Sequence, residues 1–141
     1  MGTQKDDLKS RLKRHEGLKL EPYRDSRGNW SIGFGHFMGP GKFVISRRVA
    51  DAILDDDIHK ATFEYLSLGW DLDPVRRDVV IEMIFWHGLR GFLKFKKTIA
   101  AIERKDWNTA ADEMMDSNSG RNFHTRMSEL ADMMRTGEVK G

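Results

Sequence analysis

Glu16 and Asp25 are the two side chains whose type and spacing best suit acid–base work, and Ser31 follows them with a hydroxyl. All three lie in one stretch, HEGLKLEPYRDSRGNWSIGFGH, from His15 to His36. Two carboxylates flanking a sugar are the minimum equipment for cutting a glycosidic bond. One donates a proton to the leaving oxygen, and the other attacks or activates a water. The end of the stretch alternates large and very small residues, which predicts a strand from Trp30 to Gly35. Trp30, Ile32 and Phe34 would point to one face and Ser31, Gly33 and Gly35 to the other. The second face is nearly bare, and a bare sheet face lets a bulky ligand lie close to the backbone.

The surroundings of each residue set its expected state. Thr3 with Asp6 three positions later predicts a helix start. Leu8 and Leu12 continue the helix, Lys9, Lys13 and Arg14 lie on its outside, and Gly17 ends it. Glu16 then falls in the last turn, at the negative end of the helix dipole, where a carboxylate anion is disfavoured. Partial burial would act in the same direction and keep the proton on, as a general acid requires. The plainer alternative is a surface glutamate at a frayed helix end. Asp25 falls where a first strand, within Leu18 to Asp25, meets the turn SRGN. There it stays ionised, and its plainer alternative is an Asx-turn residue. Ser31 can offer a hydroxyl beside the site, though alone it is simply a strand serine.

The rest of the chain reads as helices. FMGPGKFV is a glycine-rich loop or an irregular third strand. Ser46 caps a long helix, RRVADAILDDDIHKATFEYL, with Ala50, Ile53, Leu54, Asp57, Ile58, Ala61 and Tyr65 on its less polar stripe. The run Asp55-Asp56-Asp57 lacks the spacing and glycine of a calcium loop and reads as a solvated face. Asp73-Pro74 starts a central apolar helix, VRRDVVIEMIFWHG. Its closing aromatics are core or the lining of a carbohydrate cleft, and His87 reads as a structural histidine. Further helices are predicted through Phe95, Ile99 and Ile102, over WNTAADEMM behind Asp106, and from near Phe123 to Arg135, with SNSG as a loop and Gly137 as the final stop. The many methionines of the C-terminal part read as adaptable core filling.

Composition bounds the class. The chain has 141 residues, enough for one domain with a real core. Charged residues make up 33% and hydrophobic ones 39%, a globular balance. The formal net charge of +2 gives no ground for expecting a nucleic-acid partner. There is no cysteine, so no disulfide staples the fold. The N-terminal segment lacks an apolar core, so no signal peptide is expected, and no stretch is apolar enough for membrane insertion. The histidines show no metal-binding spacing, so neither metal nor cofactor is expected.

Glu16-Gly17, Asp25, Ser31 and the run IGFGH together resemble the phage-type lysozymes, the glycoside hydrolase family 24 muramidases of the T-even phage type. The similarity continues through VRRDVVIEMIFWHG, ERKDW and the closing Arg135-Thr136-Gly137. The resemblance implies an α+β, lysozyme-like fold, in which a small β-hairpin lobe and a larger helical lobe are joined by a long helix with a cleft between them. The single domain, 1–141, would divide into a small lobe at approximately 15–60 and a helical lobe at approximately 1–14 and 61–141. The implied activity is that of an endolysin, hydrolysing the β-1,4 bond between N-acetylmuramic acid and N-acetylglucosamine in peptidoglycan. Glu16, Asp25 and Ser31 would be the catalytic positions, with Phe37, Phe85 and Thr98 contacting substrate. Arg126 would orient Glu16. Glu129, three positions on and so on the same helix face, is expected from that spacing to contact His15, the plainer alternative being that both face solvent uncoupled. Two departures stand out. Serine occupies a hydroxyl position usually held by threonine, and Ser117-Asn118-Ser119 replaces an aromatic usual before the last helix.

The same resemblance implies a monomer that waits in the host cytoplasm until a holin lets it reach the wall, or one that travels with the virion. A non-catalytic wall-binding or virion structural domain of the same fold is the principal rival, and the intact Glu16, Asp25 and Ser31 argue against it. A nucleic-acid binder using the basic residues of the first helix is the second rival, and the low net charge argues against that.

Overall fold

A carboxylate opens the first helix. Asp7 accepts the backbone N–H of Ser10 at 2.8 Å, and α1 (Leu8–Glu16) follows. That bond holds the Asp7 carboxyl below its ordinary range. The cap is thus Asp7, whereas Thr3 and Asp6, the residues expected to start the helix, lie outside the described residues. The computed structural model describes residues 7–24, 30–34, 36–37 and 44–139, with the backbone alone at 20–22, 24, 30 and 37. Leu12 and Arg11 form the buried side of α1. Gly17 ends the helix at φ 70° and ψ 155°, a conformation that a residue with a Cβ rarely adopts.

Three antiparallel strands follow: β1 (Lys19–Arg24), β2 (Trp30–Gly33) and β3 (His36–Phe37), with β2 in the centre. Arg24 pairs with Trp30 and Tyr23 with Ser31, and the register shifts between Tyr23 and Lys19. Pro22 lies in that irregular span and has no N–H to give to a ladder, which suits an edge strand.

The middle strand is shorter than its alternation predicts. It stops at Gly33, which turns the chain at φ 70°. At Gly33 the bare face is also not open. A Cβ on Gly33 would lie 3.3 Å from Cβ of Ala50, so the missing side chain lets a helix approach the sheet, not a ligand.

That helix is α2 (Arg47–Leu66), whose first turn is capped by Ser46 Oγ accepting the Val49 N–H at 3.2 Å. Ala50 and Leu54 are buried, in one compact unit spanning Asp7–Lys60 that also contains Leu12, Ile32, Phe34 and Ile45. Salt bridges tie α2 to α1. Lys9 Nζ lies 2.7 Å from both Asp51 and Asp55, and Lys13 Nζ lies 2.6 Å from Asp51. Asp57 accepts from or pairs with His36 Nδ1 of β3 at 2.6 Å. The acidic run is therefore not simply a solvated face, because Asp55 and Asp57 both have partners.

The second unit begins at Ala61, within α2. It contains α3 (Pro74–Phe92), α4 (Lys96–Glu103), α5 (Trp107–Met115), α6 (Asn118–Asn122) and α7 (His124–Thr136). Asp73 accepts the Arg76 N–H at 3.1 Å with Pro74 in the first turn, as the Asp-Pro pair predicts. Val79, Val80, Ile81, Met83 and Ile84 of α3 are buried. Met114, Met127, Met133 and Met134 are buried too, which makes them core. α3 kinks at Gly88, where φ is 74°.

SNSG is not a loop. Ser117 Oγ accepts the Gly120 N–H at 3.0 Å and starts α6. The end of α7 is capped from a distance. Arg76 donates from Nε to the carbonyl of Met134 at 2.6 Å and from Nη2 to that of Arg135 at 3.0 Å. Its guanidinium also lies over the Trp107 ring, 4.3 Å from the centroid. The last carbonyls of a helix have no partners inside it, so a cation there stabilises them twice, by hydrogen bonding and through the dipole. Among the described residues, no helix is long and apolar enough to cross a membrane.

Candidate active site

The α1 cap sets where Glu16 stands. Capping at Asp7 and termination at Gly17 give a nine-residue helix whose last residue is Glu16. The Gly17 N–H bonds back to the carbonyl of Lys13 at 2.9 Å, which closes the final turn. Glu16 is half-buried there.

Ser31 is on the central strand, with Tyr23 and Phe37 as its neighbours in register on either side. It is 3% exposed, so its hydroxyl is held in a nearly dry setting. Asp25 lies outside the described residues. β1 ends one residue before it, at Arg24, which pairs with Trp30. Phe37 pairs with Ser31 through its backbone, and its side chain is outside the described set.

The helical unit holds the other expected site residues. Phe85 is half-buried on α3, beside Trp86 and His87. Thr98, on α4, is only 3% exposed. Arg126, on α7, donates from Nε to Glu82 Oε2 at 3.2 Å, and its guanidinium lies over the Trp86 ring at 4.3 Å from the centroid. Phe123 meets the same ring edge-on at 5.6 Å. His87 is a structural histidine with two bonds, one to the Met83 carbonyl at 3.0 Å and one to Ser119 Oγ at 2.8 Å. Ser119, in the Ser117-Asn118-Ser119 stretch, thus has a partner of its own.

Glu82 is the residue that sequence reasoning passed over. It is fully buried, in the middle of the apolar run of α3. Its signal was legible, since a glutamate inside VVIEMI cannot face a core without a partner. Among the described residues, no group of three or more His, Cys, Asp or Glu side chains is arranged to hold a metal ion.

A short antiparallel sheet with a hydroxyl on its middle strand, a glutamate ending the preceding helix and a separate helical unit define an α+β protein of lysozyme-like class. Residues 13–131 match the phage lysozyme family, and the chain belongs to that family. The chain is 27% identical to a Dictyostelium discoideum protein named "Probable T4-type lysozyme 1", over 94% of this chain and 95% of the relative. It is 28% identical to "Probable T4-type lysozyme 2" of the same organism, over 94% and 96%. An "Endolysin" of Acyrthosiphon pisum secondary endosymbiont phage 1 is 28% identical, over 74% of this chain and 72% of its own.

Proposed function

We propose that this protein is a peptidoglycan-degrading lysozyme that hydrolyses the β-1,4 bond between N-acetylmuramic acid and N-acetylglucosamine. The observation that carries the reading is the placement of Glu16 as the last residue of α1 and of Ser31 on the middle strand of the sheet that follows, in a chain of the phage lysozyme family. Glu16 is the general acid that protonates the leaving glycosidic oxygen. Asp25 stabilises the oxocarbenium-like transition state and activates a water, and Ser31 holds that water or the Asp25 carboxylate. A gap of roughly 6.5–9.5 Å between the two carboxyl groups would leave room for the water and invert the product, while about 5–5.5 Å would make Asp25 a nucleophile. The family resemblance favours inversion.

The remaining assignments belong to the same reading. Phe37, Phe85 and Thr98 contact the glycan, and Arg126 orients Glu16. The protein acts as a monomer that reaches the wall from the host cytoplasm through a holin, or as part of the virion.

A turbidity assay on purified bacterial walls tests the proposal. The parent protein clears the suspension and releases reducing sugar. Glu16→Gln keeps the shape but cannot supply the proton, and it loses at least ~10²-fold in rate. Clearing by Glu16→Gln within a few fold of the parent would remove Glu16 from the mechanism. A parent protein that binds walls without releasing reducing sugar would leave the non-catalytic reading standing.

A further inference from the structure

A cavity of about 530 Å³ opens within the first unit, lined by Lys13 and Leu18, by Phe34 after the middle strand, and by Arg47, Arg48 and Asp51 of α2. Its charges are unevenly satisfied. Asp51 is held by both Lys9 and Lys13, and hydrogen bonding from Lys13 and then Lys9 lowers its carboxyl below the ordinary range. Arg47 and Arg48 are exposed, and neither has an ion-pair partner among the described residues. The first turn of α2 contains no acidic residue. Two arginines thus sit beside a lysine at the end of a helix where positive charge is disfavoured. Such a local conflict is expected where a site serves binding, not folding.

The walls say what would relieve it. Two guanidinium forks suit the oxygens of an oxyanion, and bidentate donors suit phosphate in particular. Lys13 cannot swing freely, because it is bound to Asp51 and lies 5.5 Å from the centroid of the Phe34 ring. Leu18 and Phe34 supply an apolar wall. The volume falls within the range of small-molecule sites and is far larger than a bare phosphate needs.

We propose that this cavity binds a phosphate ester of a small polyol or sugar, with Arg47 and Arg48 holding the phosphate and Phe34 and Leu18 packing against the carbon frame. The recessed shape favours a discrete ester over a flat anionic membrane, and none of its lining residues is one of those assigned to the hydrolytic chemistry.

Titration of the full chain with glycerol 3-phosphate, followed by calorimetry and amide NMR, tests the proposal. Saturable binding is expected, with shifts centred on Arg47, Arg48 and Phe34. The double variant Arg47→Gln/Arg48→Gln should weaken binding at least about ten-fold, while circular dichroism, the melting temperature and wall clearing stay as in the parent. Arg48→Lys should retain part of the affinity. The proposal is overturned if millimolar glycerol 3-phosphate does not saturate, if uncharged glycerol binds as well, or if the double variant binds like the parent. It is also overturned if vesicles of anionic phospholipid bind in an Arg47- and Arg48-dependent way while glycerol 3-phosphate does not, because the partner would then be a membrane surface.

Discussion

Arg126 and Glu82 form an ion pair in the helical unit, with 3.2 Å between Nε and Oε2 and with the carboxylate side chain wholly out of contact with solvent. A carboxylate taken fully out of water is costly unless charge and hydrogen bonds compensate it. The pair also fixes the guanidinium over Trp86, so α3 and α7 are joined by charge and by a cation–π contact.

Removing the carboxylate should therefore be expensive. Glu82→Leu takes away one of the partners of Arg126 and should cost about 3 kcal/mol, on the scale of a broken buried pair. Glu82→Gln keeps an acceptor oxygen and should cost less. Urea unfolding monitored at the tryptophans measures both. Equal stability of the leucine variant and the parent would show that apolar packing replaces the pair without loss.

Asp25 and Ser31 divide the work unequally in the proposed mechanism. Asp25→Asn should abolish most wall clearing while leaving wall binding in place. Ser31→Ala removes support for the reacting water, not a reacting charge, and should cost less in rate. Turbidity and pull-down on the same walls separate the two. A Ser31→Ala variant slower than Asp25→Asn would reverse the roles.

Gly33 combines two constraints that a variant series can separate. At φ 70° any side chain is strained, and a Cβ would also press within 3.3 Å of Ala50. Gly33→Ala should cost about 1–2 kcal/mol for the backbone conformation alone, plus the crowding. Replacing Ala50 by glycine in the same chain relieves the crowding but not the backbone. Partial rescue in thermal melts is the expected result. Full rescue, beyond what Ala50→Gly costs by itself, would mean that the conformation carries no strain.

The Asp7 cap should be visible in acid. Its carboxyl is lowered from the ordinary value of 3.8 by the bond from the Ser10 backbone, with the Ser10 side chain second. A depressed carboxyl contributes stability above its unfolded value and loses it as pH falls through the folded one. Asp7→Ala should cost about 1 kcal/mol near neutrality, the usual scale for a lost cap. Melting curves of parent and variant should converge as pH falls below 3.8. A gap that stays constant down to strong acid would show that the ionised carboxylate is not what caps α1.

The sequence by itself determined what depends on neighbours within about one helical turn. Ser46, Asp73-Pro74 and Asp106 start helices because each bonds or preorganises residues two or three positions on, and the apolar stripe of α3 follows from helical periodicity. The positions of Glu16 at a helix end and of Ser31 on a strand were legible in the same way, from the glycine that stops α1 and the alternation of the strand. The tertiary structure alone decided the pairs made across long separations. His36 meets Asp57 across 21 positions, Arg126 meets Glu82 across 44, and Arg76 reaches the Met134 carbonyl across 58. It also decided that the bare side of Gly33 is filled by Ala50. Composition and periodicity carry no information about which distant side chain arrives, because that is settled only when packed elements bring particular faces within hydrogen-bonding or van der Waals reach.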